Sequence, residues 1–265
     1  MATTNDFKGR WALVTGASSG IGIALAREFA GRGARLILTA RRRERLESLA
    51  QELAARGTEV RIVMADLNDP KAPQQIYDTT EGAGIEIDIL INNAGLGQFG
   101  AFYKNPIAQE LSQIRVNCEA MVHLSRLFVP RMVERQRGWI MVLASTASYQ
   151  PIPYLNTYAA TKVFDRFYAE ALAAEVARFG IKVTALCPGP TESEFWDVSR
   201  AQTFKRRVQT AEEVARLGVN ALIRGRRVII ANVPGRITAF FVRFLPNRLI
   251  TYVIEKVARR EAESR

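Results

Sequence analysis

Short runs of apolar residues alternate with longer segments of helical periodicity over most of the chain. Each run is rich in aliphatic and β-branched residues and ends at glycine, proline or polar residues, a pattern typical of strands. Strands that alternate with helices predict an α/β fold, in which a parallel sheet carries helices on both faces. The predicted strands are Trp11–Thr15, Arg35–Thr39, Glu59–Met64, Ile85–Ile91, Trp139–Ala144, Ile181–Leu186 and Arg226–Ile230.

A glycine-rich loop joins the first predicted strand to a helical pattern. Such a loop presents backbone N–H groups and a helix N-terminus to a phosphate, and its glycines permit close approach. The Gly-x-x-x-Gly-x-Gly spacing differs from the Gly-x-Gly-x-x-Gly fingerprint, so a plain tight turn is the alternative. The loop residues predicted to contact a cofactor are Gly16, Ser18, Ser19, Gly20, Ile21 and Gly22.

The second strand ends in arginines rather than in the acid that would bind a ribose 2′-hydroxyl. Arginines there favour a 2′-phosphate, and Arg41, nearest the strand end, is the predicted contact. The alternative, a solvated basic start to the next helix, applies to Arg42, Arg43 and Arg45. After the third strand, Asp66 and the adjacent Leu67 are predicted to contact the adenine, although Asp66 could equally cap a turn.

Four polar motifs follow the ends of successive strands, the fourth being Asn92–Gly95, where Asn93, Ala94 and Gly95 are predicted cofactor contacts. Because ligands of parallel sheets bind outside the carboxyl ends of the strands, the four motifs predict one site.

Tyr158 and Lys162 stand one helical turn apart, so a helix places them on one face. A phenol beside a fixed cation ionises more easily, which suits proton transfer at physiological pH. Tyr252 and Lys256 repeat the spacing, but they lack the Ser145 hydroxyl that closes the fifth strand before Tyr158. Pro188, Gly189 and Thr191 follow the sixth strand and begin a predicted loop over the site at about residues 190–210, with aromatic Phe195, Trp196 and Phe204.

The charge of the chain is concentrated near its C-terminus. Of the formal net charge of +11, residues 1–199 carry 22 Lys and Arg against 21 Asp and Glu, and residues 200–265 carry 15 against 5. Residues 233–265 are predicted to form a helical extension with apolar stripes and interspersed basic residues, too short to span a bilayer. The extension could pack on the domain or on a second subunit, lie on an anionic membrane, or flank a cleft for an anionic long-chain substrate.

Few residues suit other kinds of chemistry. The single histidine, His123, argues against a histidine metal site and a Ser-His-Asp triad, so no metal is predicted. Cys118 and Cys187 form no Cys-x-x-Cys pair, and the N-terminus lacks an export signal, which predicts a cytoplasmic protein. Nucleic acid is not expected as a partner because no recognised binding module accompanies the basic charge.

From about Phe7 to Ser193 the chain resembles the short-chain dehydrogenase/reductase (SDR) family. The resemblance is carried by Thr15–Gly22, Asn92–Gly95, Asn117, Ser145, Tyr158 with Lys162, and Pro188-Gly189. It implies a single-domain, doubly wound Rossmann sheet of about seven strands over residues 1–232 that binds NAD(H) or NADP(H). A basic residue at Arg41 goes with NADP(H) in similar members. The family often has Pro-Gly-x-Val/Ile-x-Thr where this chain has Thr191 and Ser193, both able to bind a carboxamide.

The resemblance also implies the roles of four catalytic residues. Ser145 binds the substrate carbonyl, Tyr158 transfers the proton, Lys162 lowers the pKa of the tyrosine and holds the nicotinamide ribose, and Asn117 anchors a water in the proton relay. The sequence therefore predicts an NADP(H)-dependent oxidoreductase for a hydrophobic carbonyl or alcohol, assembled as a homodimer or homotetramer. The alternatives are a cofactor-binding redox sensor without turnover and a scaffold at a membrane surface.

Overall fold

The computed structural model describes residues 6–195, 199, 201 and 208–263. Within them, seven parallel strands form one sheet in the order β3-β2-β1-β4-β5-β6-β7, which confirms the predicted Rossmann fold. Each predicted strand is present, with its ends shifted by at most two residues. The strands are β1 (Trp11–Thr15), β2 (Arg35–Ala40), β3 (Val60–Met64), β4 (Ile87–Asn92), β5 (Gly138–Leu143), β6 (Ile181–Cys187) and β7 (Val228–Ile230).

Helices cover both faces of the sheet. The described helices are α1 (Gly20–Ala30), α2 (Arg43–Ala54), α3 (Ala72–Asp78), α4 (Ile107–Ile114), α5 (Ala120–Glu134), α6 (Asn156–Val176), α7 (Ala211–Ile223), α8 (Val233–Phe241) and α9 (Asn247–Glu263). A π-turn at Arg115–Glu119 separates α4 from α5. Such turns occur often at functional sites.

The apolar core has two layers, one on each face of the sheet, and successive side chains of a strand alternate between them. Val14 and Leu38 pack with Leu25 and Phe29 of α1 on one face. Leu13 and Ile37, their neighbours in sequence, belong to the cluster on the other face, with residues of α5 and α6. Since successive side chains of a strand point to opposite faces, a strand covered on both sides must be apolar throughout. This explains why the strands appear in the sequence as uninterrupted apolar runs.

Few residues of the C-terminal helices are buried against the domain, and most of them are small; those of α9 are Ile250, Ala258 and Ala262. Ala258 and Ala262 of α9 are fully buried in a cluster with Phe99 and Leu155, while Lys104 Nζ lies 3.4 Å from the Glu263 carbonyl oxygen. The apolar stripe, in contrast, faces outward, and its exposed members are Val233, Ile237, Phe240, Phe241, Phe244, Leu245, Leu249, Tyr252, Val253 and Val257. No helix in the described part of the chain has the length and apolar character that a bilayer span requires.

Candidate active site

A cleft of about 860 Å³ opens at the carboxyl ends of the strands. All the predicted cofactor contacts line this cleft, together with Ser145. Asn117 lies behind the wall and is almost fully buried. The lining residues predicted from the sequence are Gly16, Ser18, Ser19, Gly20, Ile21, Gly22, Arg41, Asp66, Leu67, Asn93, Ala94, Gly95, Ser145, Tyr158, Lys162, Pro188, Gly189 and Thr191.

The glycine loop forms a cradle that side chains would fill. Gly16 has φ of 65°, and a Cβ atom on Gly22 would lie 2.2 Å from the Gly16 carbonyl oxygen. Ser19 precedes α1 without capping it, and the first turn of α1 carries no acidic residue. The free N–H groups and positive end of α1 therefore face the cleft, which fits a phosphate group.

The loop after β4 is fixed to the glycine loop by Thr15. The Thr15 hydroxyl oxygen accepts hydrogen bonds from the backbone N–H groups of Asn93 and Ala94, each at 3.0 Å. In return, Asn93 Nδ2 donates to the Thr15 carbonyl oxygen at 2.8 Å. These bonds hold the two loops together along one wall of the cleft. Thr15 begins the motif that carries the family resemblance, but it was not predicted as a site residue because it is also the last residue of an apolar strand.

Arginines lie at the end of the cleft formed by β2 and β3. Arg41 Nη1 is 3.9 Å from Asp66 Oδ2, so the predicted phosphate and adenine contacts are neighbours. Arg42, expected only as part of a solvated helix start, also lines the cleft and donates to the Ser18 carbonyl oxygen at 3.1 Å. Glu194 joins this group by a 2.7 Å bond from Arg42 Nη1 and a contact from Arg45. These guanidinium groups suit a phosphate monoester.

The proton-transfer group lies at the N-terminal end of α6. Lys162 Nζ is 5.8 Å from the centre of the Tyr158 ring, and Ser145 lines the same part of the cleft as Tyr158. Burial raises the pKa of Tyr158, while Lys162 and Ser145 lower it. Lys162 lowers the pKa of Tyr158, as expected. The net shift of this pKa is nevertheless upward, because loss of hydration disfavours the phenolate more strongly, so the expectation of a lowered pKa is wrong.

The side chain of Asn117 links neighbouring segments by hydrogen bonds. Its side chain donates to Thr161 Oγ1 at 2.8 Å and to the Leu96 carbonyl oxygen at 2.9 Å, and it accepts from the Leu96 N–H at 2.8 Å. The amide thus ties the π-turn to α6 and to the loop beside Tyr158. Its role in anchoring a water stays a prediction.

Lys162 has a partner that the sequence reasoning missed. Its ammonium donates to Asp165 Oδ2 at 2.9 Å and to the Leu143 carbonyl oxygen at 2.7 Å. Burial opposes the charge of Lys162, but Asp165 and Tyr158 raise its pKa in the balance. The spacing of three residues on a helix was the signal that could have identified Asp165.

The two cysteines and the repeated Tyr-Lys spacing lie apart from this proton-transfer group in character or in place. Burial raises the pKa of Cys118 to about 12 and that of Cys187 to about 11, so both thiols stay protonated at neutral pH. In the described ranges, no three His, Cys, Asp or Glu side chains gather as a metal site would require. Tyr252 is exposed, with Lys256 Nζ 4.4 Å from its ring centre, and neither residue lines the cleft.

The apolar part of the cleft lies beside Tyr158. The Phe195 ring centre is 5.0 Å from that of Tyr158, and Leu96, Ile152 and Leu155 continue the wall. Pro234, Gly235 and Thr238 of α8 also line the cleft, so the C-terminal extension contributes directly to it. Trp196 and Phe204, predicted to face the substrate, lie outside the described residues.

Comparison with known proteins gives one consistent family. The family model for short chain dehydrogenases matches residues 10–203. The 1-deoxy-11-beta-hydroxypentalenate dehydrogenase of Streptomyces avermitilis is 35% identical over 226 residues, which are 83% of this chain and 84% of that protein.

Two solved structures are similar over most of their length. A short-chain dehydrogenase from Sphingobium yanoikuyae in complex with NADPH has a TM-score of 0.81 at 32% identity, covering 89% of this chain and 93% of that one. A short chain dehydrogenase/reductase from Burkholderia phymatum in complex with NAD has a TM-score of 0.82 at 25% identity, covering 90% and 93%.

Proposed function

We propose, since the chain belongs to the short-chain dehydrogenase family, that this oxidoreductase is an NADP(H)-preferring carbonyl reductase or alcohol dehydrogenase. Its substrate would be hydrophobic or lipid-like. The observation that carries the proposal is that Ser145, Tyr158 and Lys162 line the same cleft as the glycine loop, whose geometry suits a phosphate. A cofactor-binding redox sensor is the weaker alternative, because it would have no use for a phenol between a hydroxyl and an ammonium.

The residues of the cleft perform acid and base chemistry at one oxygen atom. A bound nicotinamide supplies or accepts the hydride. During reduction, Tyr158 donates its proton to the carbonyl oxygen, and Ser145 donates a hydrogen bond to the same oxygen. Lys162 stabilises the phenolate that remains on Tyr158. Alcohol oxidation reverses these steps, with the phenolate as base.

The preference for NADP(H) rests on the arginines at the end of the cleft. Arg41 and Arg42 lie where the chain after β2 would meet a ribose 2′-substituent, and the chain supplies arginines at that position instead of an acid. The nearby carboxylates of Asp66 and Glu194 come from other segments and pair with these arginines. Related structures hold either NADPH or NAD, so the preference is argued from these side chains alone.

The exposed apolar stripe of α8 and α9 suggests contact with an anionic lipid surface. The Phe240 ring packs against those of Phe241 and Phe244, with both centre distances 5.4 Å, which forms an exposed aromatic cluster. Exposed basic side chains accompany the stripe, namely Arg243, Arg248, Lys256, Arg259 and Arg260. Aromatic groups beside basic ones suit the interface of an anionic membrane.

We place the protein in the cytosol, where unpaired thiols persist.

A separate apolar patch suits a second copy of the chain. On α4, Ile107, Leu111 and Ile114 are exposed at helical spacing, and on α6 Phe164 and Phe167 are exposed. The two helices pack against each other in one chain. A twofold axis over this patch would bury it, which supports a homodimer or a homotetramer.

Substitution of Tyr158 by Phe tests the mechanism. The variant should lose at least about a hundredfold in turnover, because the proton donor is removed, while NADPH binding stays near that of the wild type. Turnover is followed by NADPH oxidation with ketones, quinones, steroids and 3-oxoacyl thioesters, and NADH is run in parallel. The control is Tyr252→Phe, which removes the same hydroxyl outside the cleft and should change nothing.

Two results would contradict the proposal. Full turnover by Tyr158→Phe would exclude Tyr158 as the proton donor. Tight NADPH binding by the wild type, without turnover of any substrate in the panel, would favour the redox sensor.

A further inference from the structure

Asp165 is a buried carboxylate for which the mechanism above has no role. It lies on α6 one turn after Lys162, and the exposed fractions of Asp165 and Lys162 are 2% and 3%. Acidic side chains are seldom buried to this extent unless they are paired. A charged group at this depth, next to a catalytic ammonium, acts on it through a medium that screens charges poorly.

The contacts of the pair fix the direction of the ammonium. Two of its three N–H donors are used, one by Asp165 Oδ2 and one by the Leu143 carbonyl oxygen at the end of β5. The third donor is left for a group in the cleft. Asp165 Oδ1 has no hydrogen-bond partner in the described part of the chain, so the carboxylate is held mainly by Lys162 itself.

The two charges act on Tyr158 in opposite directions. The ammonium favours the phenolate, and the carboxylate disfavours it. Besides these groups, the Ser145 hydroxyl faces Tyr158 from the end of β5, and the Cys118 thiol faces the pair from the π-turn. The Cys118 thiol is uncharged at neutral pH because burial raises its pKa to about 12. Asp165 is therefore the charge through which the protein can weaken the effect of Lys162.

We propose that Asp165 is a positioning residue for the proton-transfer step. Its carboxylate holds the Lys162 ammonium against the cleft wall and limits how strongly that charge favours the Tyr158 phenolate. The inference rests on the proposed function of Tyr158 as acid and base. It differs from a purely structural role, in which Asp165 would satisfy a buried lysine and leave the reaction unchanged.

The pH dependence of Asp165→Asn distinguishes these roles. Asparagine keeps the size and one acceptor oxygen but removes the negative charge. Reduction requires the protonated phenol, so its rate falls as pH rises through the pKa of Tyr158. With Lys162 still charged, loss of the carboxylate lowers that pKa, and the alkaline limb of kcat should move to lower pH by about one unit. The rising limb of alcohol oxidation should move in the same direction.

Two control variants distinguish the loss of the Asp165 charge from a general loss of activity. Glu175→Gln removes an exposed carboxylate from the same helix and should leave both limbs in place. Asp165→Glu restores the negative charge and should return the limbs toward their wild-type positions, even if kcat is lower. Unchanged limbs in folded Asp165→Asn would overturn the proposal.

A direct titration covers the case in which turnover is absent. The ultraviolet absorption of phenolate against pH, with the curve of Tyr158→Phe subtracted, reports Tyr158 without any substrate. A lower midpoint in Asp165→Asn supports the inference even if the proposed reaction fails, and an unchanged midpoint refutes it. If Asp165→Asn does not fold, as shown by circular dichroism, Asp165→Ser is titrated instead. If neither folds, the carboxylate serves folding and the proposal is wrong.

Discussion

At the scale of single residues, burial and charge compete over one hydroxyl group. Burial alone would keep Tyr158 protonated at neutral pH, because a phenolate loses its hydration inside the protein. Lys162 and Ser145 lower the pKa of the phenol, while Asp165 raises it. The position of the Lys162 ammonium is therefore as important as its presence. The spacing of Tyr158 and Lys162 indicates acid and base chemistry, but the neighbouring groups decide the pKa of the phenol.

The proposed preference for NADPH over NADH can be tested at single side chains. Arg41→Asp should weaken NADPH binding by about ten- to a hundredfold, because a charged hydrogen-bond donor is lost and a carboxylate repels the phosphate. NADH binding should change little. Both constants are measured by fluorescence titration of the reduced cofactor.

A neighbouring arginine provides the matched control for this prediction. Arg43 starts α2, pairs with Glu47 and does not line the cleft, so Arg43→Asp should leave both affinities unchanged. A loss confined to Arg42→Asp would assign the phosphate to Arg42. An unchanged preference in both the Arg41 and the Arg42 variants would place the phosphate elsewhere.

At the scale of elements, α9 supports the cleft through small side chains. Ala258 and Ala262 let the helix approach Phe99 closely, and Tyr154 adds a 3.3 Å hydrogen bond from its hydroxyl to Glu255. Phe99 and Tyr154 belong to the two segments that lead to the apolar wall at Leu96 and Leu155. No residue of α9 lines the cleft, so the helix supports the apolar wall from behind while its outer side forms part of the exposed surface.

A charge placed between α9 and the domain should weaken substrate binding and leave cofactor binding unchanged. Ala258→Asp buries an unpaired carboxylate, which costs at least about 2 kcal/mol and should release the helix from Phe99. The KM for the carbonyl substrate should rise, while the affinity for NADPH stays the same. The control, Val257→Asp, adds the same charge at the next, exposed position and should leave KM unchanged. Equal KM values in both variants would exclude a role of α9 in the cleft.

At the scale of the whole molecule, the surface has regions of different character. The exposed patch on α4 and α6 is apolar, whereas the stripe on α8 and α9 combines apolar and basic side chains. A protein partner of the same sequence suits the first, and an anionic lipid surface suits the second. The start of α8 lines the cleft, so such a surface would lie near the entry for a hydrophobic substrate.

Vesicle binding tests the lipid surface. The protein should sediment with vesicles that contain phosphatidylserine and much less with neutral ones, and binding should weaken as salt screens the basic charges. Phe240→Asp should abolish sedimentation, whereas Phe102→Asp, the same change at an equally exposed position outside both surfaces, should retain it. Equal sedimentation of the two variants would contradict the assignment.

The sequence by itself determined the sheet, the glycine cradle and the pair of Tyr158 with Lys162. These features depend on local periodicity and on spacing within one element, which the order of residues records directly. Only the tertiary structure decided that Asp165 holds Lys162 at a depth where charges matter, that Arg42 turns to Ser18, and that the apolar stripe of α8 and α9 stays exposed. Burial and the direction of a side chain depend on what distant segments cover, and no local pattern encodes that.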